Sequence, residues 1–309
     1  ALDEGADAVV HAMNPARYTA SAWRTEAPAL LHQAITTALA LRAVLLFPGN
    51  VYNFGAGMPA VLDAHTPQRP STPLGQVRVA LEQQLAQAVA TQGLRAVIVR
   101  AGDFFGAGQG TWLDLVIARK LRQGVMTWPG PLDVPHAWAY LPDLAQAFVR
   151  VAERRAGLPP HAVLHFAGHT LSGAQLHQGF EAALGRPLKA AQFPWWLLRL
   201  VAPVAAMPRA LLEMRHLWLR PHRLDGTRLA ALIGPEPHTP LDEVLRQCLA
   251  RSLGRHVDLG AGGARIHRGH KVAPLGLDRT DDVDLTLRGS AEGRHGQRDA
   301  REHAFHENS

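Results

Sequence analysis

One cysteine, Cys248, stands among 309 residues, so no internal disulfide can form and nothing in the chain asks for an oxidising compartment. No basic-then-apolar leader opens the chain, and no apolar run reaches the roughly 18 to 20 residues that a bilayer span needs. The nearest approach, FPWWLLRLVAPVAA (Phe193 to Ala206), is broken by Arg199 and by prolines, and it reads as a core or lid helix. These absences set the expectation of a cytoplasmic protein with no membrane partner. Metal motifs are missing too: there is no HExxH and no CxxC. His161, His165 and His169 recur every four residues, but they bracket a strand pattern and need not converge as they would on one helix face. No metal site is expected. The formal charge of +6 and pI near 10.2 raise the question of nucleic acid. The arginines, however, are scattered among carboxylates with no aromatic-interleaved basic stripe, so no nucleic-acid partner is expected.

What is present is a globular pattern, 47% hydrophobic and long enough for a sizeable core. Apolar runs of strand length alternate with helical patterns. ADAVVHA (Ala6 to Ala12) and RAVLLFPG (Arg42 to Gly49) read as buried strands around a helix through PALLHQAITTALA. A helix beginning near Leu74 carries Val77, Leu81, Leu85 and Val89 on one stripe and stops at Gly93. LRAVIVR (Leu94 to Arg100) follows as the next strand and runs into AGDFFGAG. Continuous apolar strands with helices between them predict an α/β fold, a doubly wound parallel sheet covered on both faces.

The second half is less regular. AWAYLPDLAQAFVRVAERRAG passes from a short strand into a helix with Pro142 in its first turn, and AVLHFAG (Ala162 to Gly168) is another strand. Ser172 with Gln175 forms a capping box, and Thr239 to Asp242 opens a last helix ending near Leu253. The expected organisation is residues 1–168 as a sheet domain with an insertion at about 107–135, residues 169–254 as a small mostly helical domain, and residues 255–309, rich in Gly, Arg, Asp and His, as a disordered tail.

Four segments stand in a telling order: VVHAMNP, FPGNVYN, LGQVRVALE and RAGDFFG. They resemble the strand ends and helix start of the extended short-chain dehydrogenase/reductase superfamily, the nucleotide-sugar epimerases and dehydratases, over about residues 6 to 253. YLPDLA resembles that family's later Asp-centred segment. The strings GNVYNFG, HAWAYLPD, FPWW, EMRHLW and EPHTPLD are similar to those of an atypical branch of NAD(P)-binding epimerase-like proteins. The resemblance implies a Rossmann-type dinucleotide fold, NAD or NADP as cofactor, and a small-molecule substrate of nucleotide-sugar-like kind.

The departures matter as much. In the family a helical Tyr is the general acid/base, and a Lys four residues on holds the nicotinamide ribose, the two converging on one helix face. Here those positions are Leu74 and Arg78, and the family's Ser/Thr position is Pro48. Leu74 moves no proton. Arg78 keeps the charge but not the ammonium geometry. The Ser-Tyr-Lys set is absent. The family's first strand and Gly-rich turn, which hold the pyrophosphate, are also not found, so the resemblance implies an N-terminally truncated fold lacking about 60 residues of two βα units and a strand. GAGQG (Gly106 to Gly110) is glycine-rich but sits in a different loop.

The candidate residues follow from that placement. Tyr52 and Asp103 are the catalytic candidates. Asn14, Asn50, Tyr52, Arg78 and Arg100 are the cofactor-side candidates, lying where open α/β sheets bind ligands. Loop packing competes for Asn50 and Tyr52, turn formation for Asn14, and capping for Asp103. His136, Trp138 and Tyr140 either line a pocket or serve the core, and Asp143 caps or braces the helix at Pro142. The implied function is an NAD(P)-binding epimerase/dehydratase-like or reductase-like protein. The alternatives are a non-catalytic NAD(P)-binding regulator and a nonfunctional fragment. For this chain alone, the missing turn implies no useful NAD(P) affinity and possible self-association through an open strand edge.

Overall fold

A computed structural model describes residues 5–106 and 110–252, with the side chains of the last two left out. The first βαβ unit is β1 (Ala8–Val10), α1 (Ala20–Leu41) and β2 (Val44–Gly49). Helix α1 starts where Thr19, in extended backbone, turns its hydroxyl onto the Ala22 N–H at 3.3 Å. Its buried residues Trp23, Ala27, Leu31, Ile35 and Ala38 lie three or four apart and form one face. After a one-turn 3-10 helix (Tyr52–Phe54) and β3 (Val61–Leu62) comes α2 (Pro73–Gln92). Thr72 caps it and Gly93 ends it at φ 71°, a left-handed backbone that suits glycine. Strands β4 (Arg95–Arg100) and β5 (Asp103–Phe105) follow.

Then come β6 (Val125–Trp128), β7 (His136–Tyr140), α3 (Leu141–Glu153), β8 (His161–His165), β9 (His169–Leu171) and α4 (Gly173–Leu184), which carries the expected Ser172–Gln175 capping box. The rest is β10 (Lys189–Gln192), α5 (Trp195–Val201), α6 (Ala206–Glu213), α7 (His216–Leu219), β11 (Arg223–Leu224), α8 (Thr227–Ile233) and α9 (Leu241–Ser252).

Four parallel strands form the main sheet in the order β1-β2-β4-β8, with Gly49 opposite Arg100 and Arg100 opposite His165 at its carboxyl end. Strand alternation divides the core in two. Leu45, Phe47, Ala96 and Ile98 pack against α1 and α2, while Val44, Leu46, Val97 and Val99 pack against Leu144, Ala147 and Phe148 of α3 and Leu229 of α8. The expected α/β class and parallel sheet hold. The first strand is shorter than the Ala6–Ala12 run: only three residues pair with β2, and Val10 and Met13 are exposed. β1 is an edge strand, with no partner on its outer side among the described residues.

A third apolar cluster, rich in tryptophan, joins Trp128, Trp138 and Phe105 to Trp195, Trp218, Phe180 and Leu245. Strands of residues 169–254 return to earlier ones: β9 pairs β7, β10 pairs β6 and β11 pairs β3. Among its described residues this stretch holds six helices, α4 to α9, yet its pairing is interleaved with that of residues 61–140. Residues 255–309, read from the sequence as a tail, lie outside the described residues. Among the described residues no helix is long and apolar enough to cross a membrane.

Candidate functional site

The carboxyl end of β2 delivers the chain into a tight turn. Asn50 accepts a hydrogen bond from the Tyr52 N–H through Oδ1 at 3.1 Å, while Val51, Asn53 and Phe54 are buried beneath it. Tyr52 is left at the surface of this plug, half-buried. Helix α2 closes against the turn at Gly75, where a Cβ would stand 2.5 Å from the Tyr52 carbonyl oxygen. Leu74, beside that glycine, is buried in the core. Leu74, which the resemblance sets at the family's tyrosine position, thus packs and offers no polar side-chain atom.

Four residues along α2, Arg78 lays its guanidinium over the Trp23 ring at 4.5 Å. Tyr18, just before the α1 cap, stands edge-on to the same indole, and its hydroxyl reaches the Tyr52 hydroxyl at 3.4 Å. Arg78 makes no hydrogen bond or ion pair among the described residues, and burial lowers its pKa, opposed in part by Tyr52, Tyr18 and Glu82. Burial also pushes Tyr18 up to about 12 and Tyr52 well above the ordinary phenol value, with the Asp103 charge adding to both. Both phenols are therefore held protonated at neutral pH. His11, stacked on Phe47, is lowered to about 4 by burial and by Arg78, so it is neutral. The Trp23 Nε1 is buried without a partner.

Asp103 begins β5 and meets His136 of β7, Oδ2 to Nε2 at 2.8 Å. The other ring nitrogen of His136 faces the Leu217 carbonyl at 3.3 Å, and the ring stacks on Trp218 at 4.2 Å. Asp103 is thereby fixed by an imidazole and set within electrostatic reach of Tyr18 and Tyr52.

The sequence candidates divide clearly in this geometry. Tyr52 lies within electrostatic reach of both Arg78 and Asp103. Asn50 shapes the turn that presents Tyr52. Arg100 is almost wholly buried and bonds Glu82 at 2.8 Å and the Asn50 carbonyl, braced by the Phe54 ring. Asn14 is exposed and makes no side-chain hydrogen bond among the described residues. Trp138 is core, and Tyr140 donates to Gln247. Asp143 binds across the fold, taking the Thr239 N–H and hydroxyl, each at 2.7 Å, and so pinning the start of α9. His161, His165 and His169 gather no metal-binding group among the described residues. The GAGQG loop lies in part outside them.

Tyr18 and Trp23 were not singled out from the sequence. The available signal was positional: they flank a Thr-capped helix start directly after a parallel strand, at the sheet edge where such folds bind ligands.

Comparison with known proteins agrees with this reading of the fold. Solved structures share it at low identity. UDP-glucuronic acid 4-epimerase from Bacillus cereus, in complex with UDP-glucuronic acid and NAD, is 13% identical with a TM-score of 0.59, over 74% of this chain and 67% of that one. A UDP-galactose 4-epimerase is 15% identical with a TM-score of 0.61, over 81% and 78%. RMD from Pseudomonas aeruginosa, complexed with NADPH, is 21% identical with a TM-score of 0.59, over 81% and 82%. At such identities the likeness is one of fold alone. No curated protein gives a significant match. The family model described as the NAD dependent epimerase/dehydratase family matches residues 1–165. That match takes in the sheet, α1, α2 and the Tyr52–Arg78–Asp103 group, and the chain belongs to this NAD dependent epimerase/dehydratase family.

Proposed function

We propose that this chain forms the nicotinamide and substrate side of an NAD(P)-linked site and acts on a nucleotide-sugar-like small molecule, in an epimerase/dehydratase-like or reductase-like role. Arg78 carries the reading. It is a half-buried cation, with no anionic or carbonyl partner among the described residues, and it stands beside two protonated phenols at the carboxyl edge of a parallel sheet. Such a group favours a ligand that brings oxygen acceptors, as a ribose or a phosphorylated sugar does.

NAD or NADP supplies hydride chemistry when bound in this family. The donor set of Arg78 and Tyr52 fits the ribose next to the nicotinamide. The β1–α1 connection, residues 11–19, contains no glycine, and no pyrophosphate contact is assigned to it. Tyr18 and Tyr52 donate hydrogen bonds to a substrate oxygen, and Asp103, held by His136, orients a substrate hydroxyl. Neither phenol is a tyrosinate at neutral pH, so proton abstraction is not assigned to them.

That last point favours a second reading, a non-catalytic NAD(P)-binding regulator, because Leu74 and two neutral tyrosines suit binding better than proton transfer. Incubating the protein with NAD(P) and a panel of UDP-sugars separates the two. Altered sugar or reduced nicotinamide that is lost in Arg78→Ala supports the enzyme. Calorimetric binding lost in Arg78→Ala with no turnover supports the regulator. Unchanged ligand affinity in Arg78→Ala overturns both.

A further inference from the structure

The segment that the sequence presents as a core or lid helix divides its two tryptophans. Trp195 is buried and donates through Nε1 to the Pro129 carbonyl. Trp196 points the other way, 65% exposed, and is joined by Leu200 at 68%, Val201 at 37% and Val204 at 89%. Positions 196, 200 and 204 are four apart and form one ridge, along α5 and into the turn after it. Single exposed apolar residues need no explanation, but a continuous ridge led by a tryptophan does.

The charge around the ridge is predominantly positive. Residues 182–212 contain Arg186, Lys189, Arg199 and Arg209, and no Asp or Glu, while Glu213, just beyond, lies within electrostatic reach of Arg209. Arg199 is exposed between Trp196 and Leu200. Arg209 donates to the carbonyls of Ala202 and Pro203, at 3.1 and 3.0 Å, which fixes a positive charge directly behind Val204.

We propose that this ridge is a peripheral membrane seat: Trp196, Leu200, Val201 and Val204 enter the headgroup region of a bilayer, and Arg199 and Arg209 meet anionic lipid. An indole is suited to that depth, with an apolar body and an N–H that stays in the wet layer. A short amphipathic helix lying in the interface needs no spanning length, so the absence of a transmembrane helix does not bear on it. Charge disfavours the alternative occupant, a second copy of this chain. A two-fold pairing of the ridge would bring together two segments of net positive charge, with Arg199 exposed on each. None of the ridge residues belongs to the ligand site, which is built from Tyr18, Trp23, Tyr52, Arg78 and Asp103.

The test is co-sedimentation of the full chain with vesicles of phosphatidylcholine alone and of phosphatidylcholine with phosphatidylglycerol. Binding is expected to the anionic vesicles, weaker in high salt. The double variant Trp196→Ser, Leu200→Ser lowers it about tenfold or more, and Arg199→Glu lowers it selectively on anionic lipid. These side chains are exposed, so an unchanged circular dichroism spectrum is expected. Absence of binding to anionic vesicles overturns the proposal. So does full retention by the double variant, which would assign the affinity to other basic residues such as those beyond position 254. A dimer seen by analytical ultracentrifugation without lipid and dissolved by the double variant would assign the ridge to a second copy and overturn it as well.

Discussion

One turn of α2 separates two polar groups with opposite fates. Glu82 is buried and saturated: Arg100 holds it at 2.8 Å, Asn53 donates at 2.9 Å and Gln68 at 2.6 Å, with Arg100 further tied to the Asn50 carbonyl. Arg78, four residues earlier on the same helix, has a tryptophan face and two neighbouring phenols but no bond of its own among the described residues. The first cluster turns the Glu82 carboxylate wholly inward and anchors the Tyr52 turn to β4, although Arg100 Nε and Asn53 Oδ1 stay buried without a hydrogen bond among the described residues. The second leaves its valence open at the sheet edge. A carboxylate bonded from three sides fixes a backbone, whereas a cation without a bond of its own retains the capacity to bind.

Acid strains both clusters and is expected to give the largest effect. His11 near Arg78 and His165 near Arg100 are each lowered to about 4, as is His169, and His222 is lowered to about 3; burial leads every one of these shifts. Free histidine titrates near 6.5, so below that value the unfolded chain takes up protons that the folded chain refuses. Stability is thus full above about pH 6.5 and is lost as pH falls toward 4, with each unit of depression worth about 1.4 kcal/mol per residue. Urea midpoints measured from pH 7 to 4.5 should fall steeply. A flat profile would mean that these histidines are solvated.

Glu82→Ala comes next. It strands a buried guanidinium and two amides, and it should cost about 3 to 5 kcal/mol in urea unfolding. Adding Arg100→Met should recover much of that loss, because the unpaired charge leaves with its partner. A cost under about 1 kcal/mol for Glu82→Ala would break the contrast with Arg78.

Arg78→Ala should do the reverse. Its stability cost should stay within about 1 kcal/mol, since only a ring contact is lost, while affinity for a ribose- or phosphate-bearing ligand falls about 10- to 100-fold. Isothermal calorimetry beside a melting curve reads both numbers. A large melting shift with unchanged affinity would place Arg78 with the structural group.

The smallest effect is expected from Tyr52→Phe, because the hydroxyl bond it removes is long, at 3.4 Å. Stability should change by less than about 1 kcal/mol. Ultraviolet titration of the wild type should find Tyr18 ionising only near pH 12 and Tyr52 later than a free phenol. The folded form keeps its protons longer there, so stability falls as pH rises from 10 towards 12. Ionisation of both near pH 10 would show them open to water.

Local chemistry determined a large part of this protein. The strands VLLFPG, RAVIVR and HAVLH have continuous apolar centres, between polar end residues in the last two, because both their faces are covered, and that points to a parallel sheet. Thr72, Gly93 and the Ser172–Gln175 pair mark helix ends through bonds to their own near neighbours, so spacing reveals them. The order of four short segments was enough for the family, and Leu74, Arg78 and Pro48 set the expectation that its Ser-Tyr-Lys set is absent. Tertiary structure decided which polar residues close on one another. Tyr18 meets Tyr52 across 34 positions, Thr239 meets Asp143 across 96, and the Trp218 ring joins Trp128 and Trp138 from the far end of the chain. The same holds for Trp195 and Trp196, identical in type and adjacent in sequence, one sealed in the core and one left in water. No propensity or period distinguishes such cases. The partner of each side chain is set by how crossovers stack helices on the sheet, and that stacking is a property of the whole core.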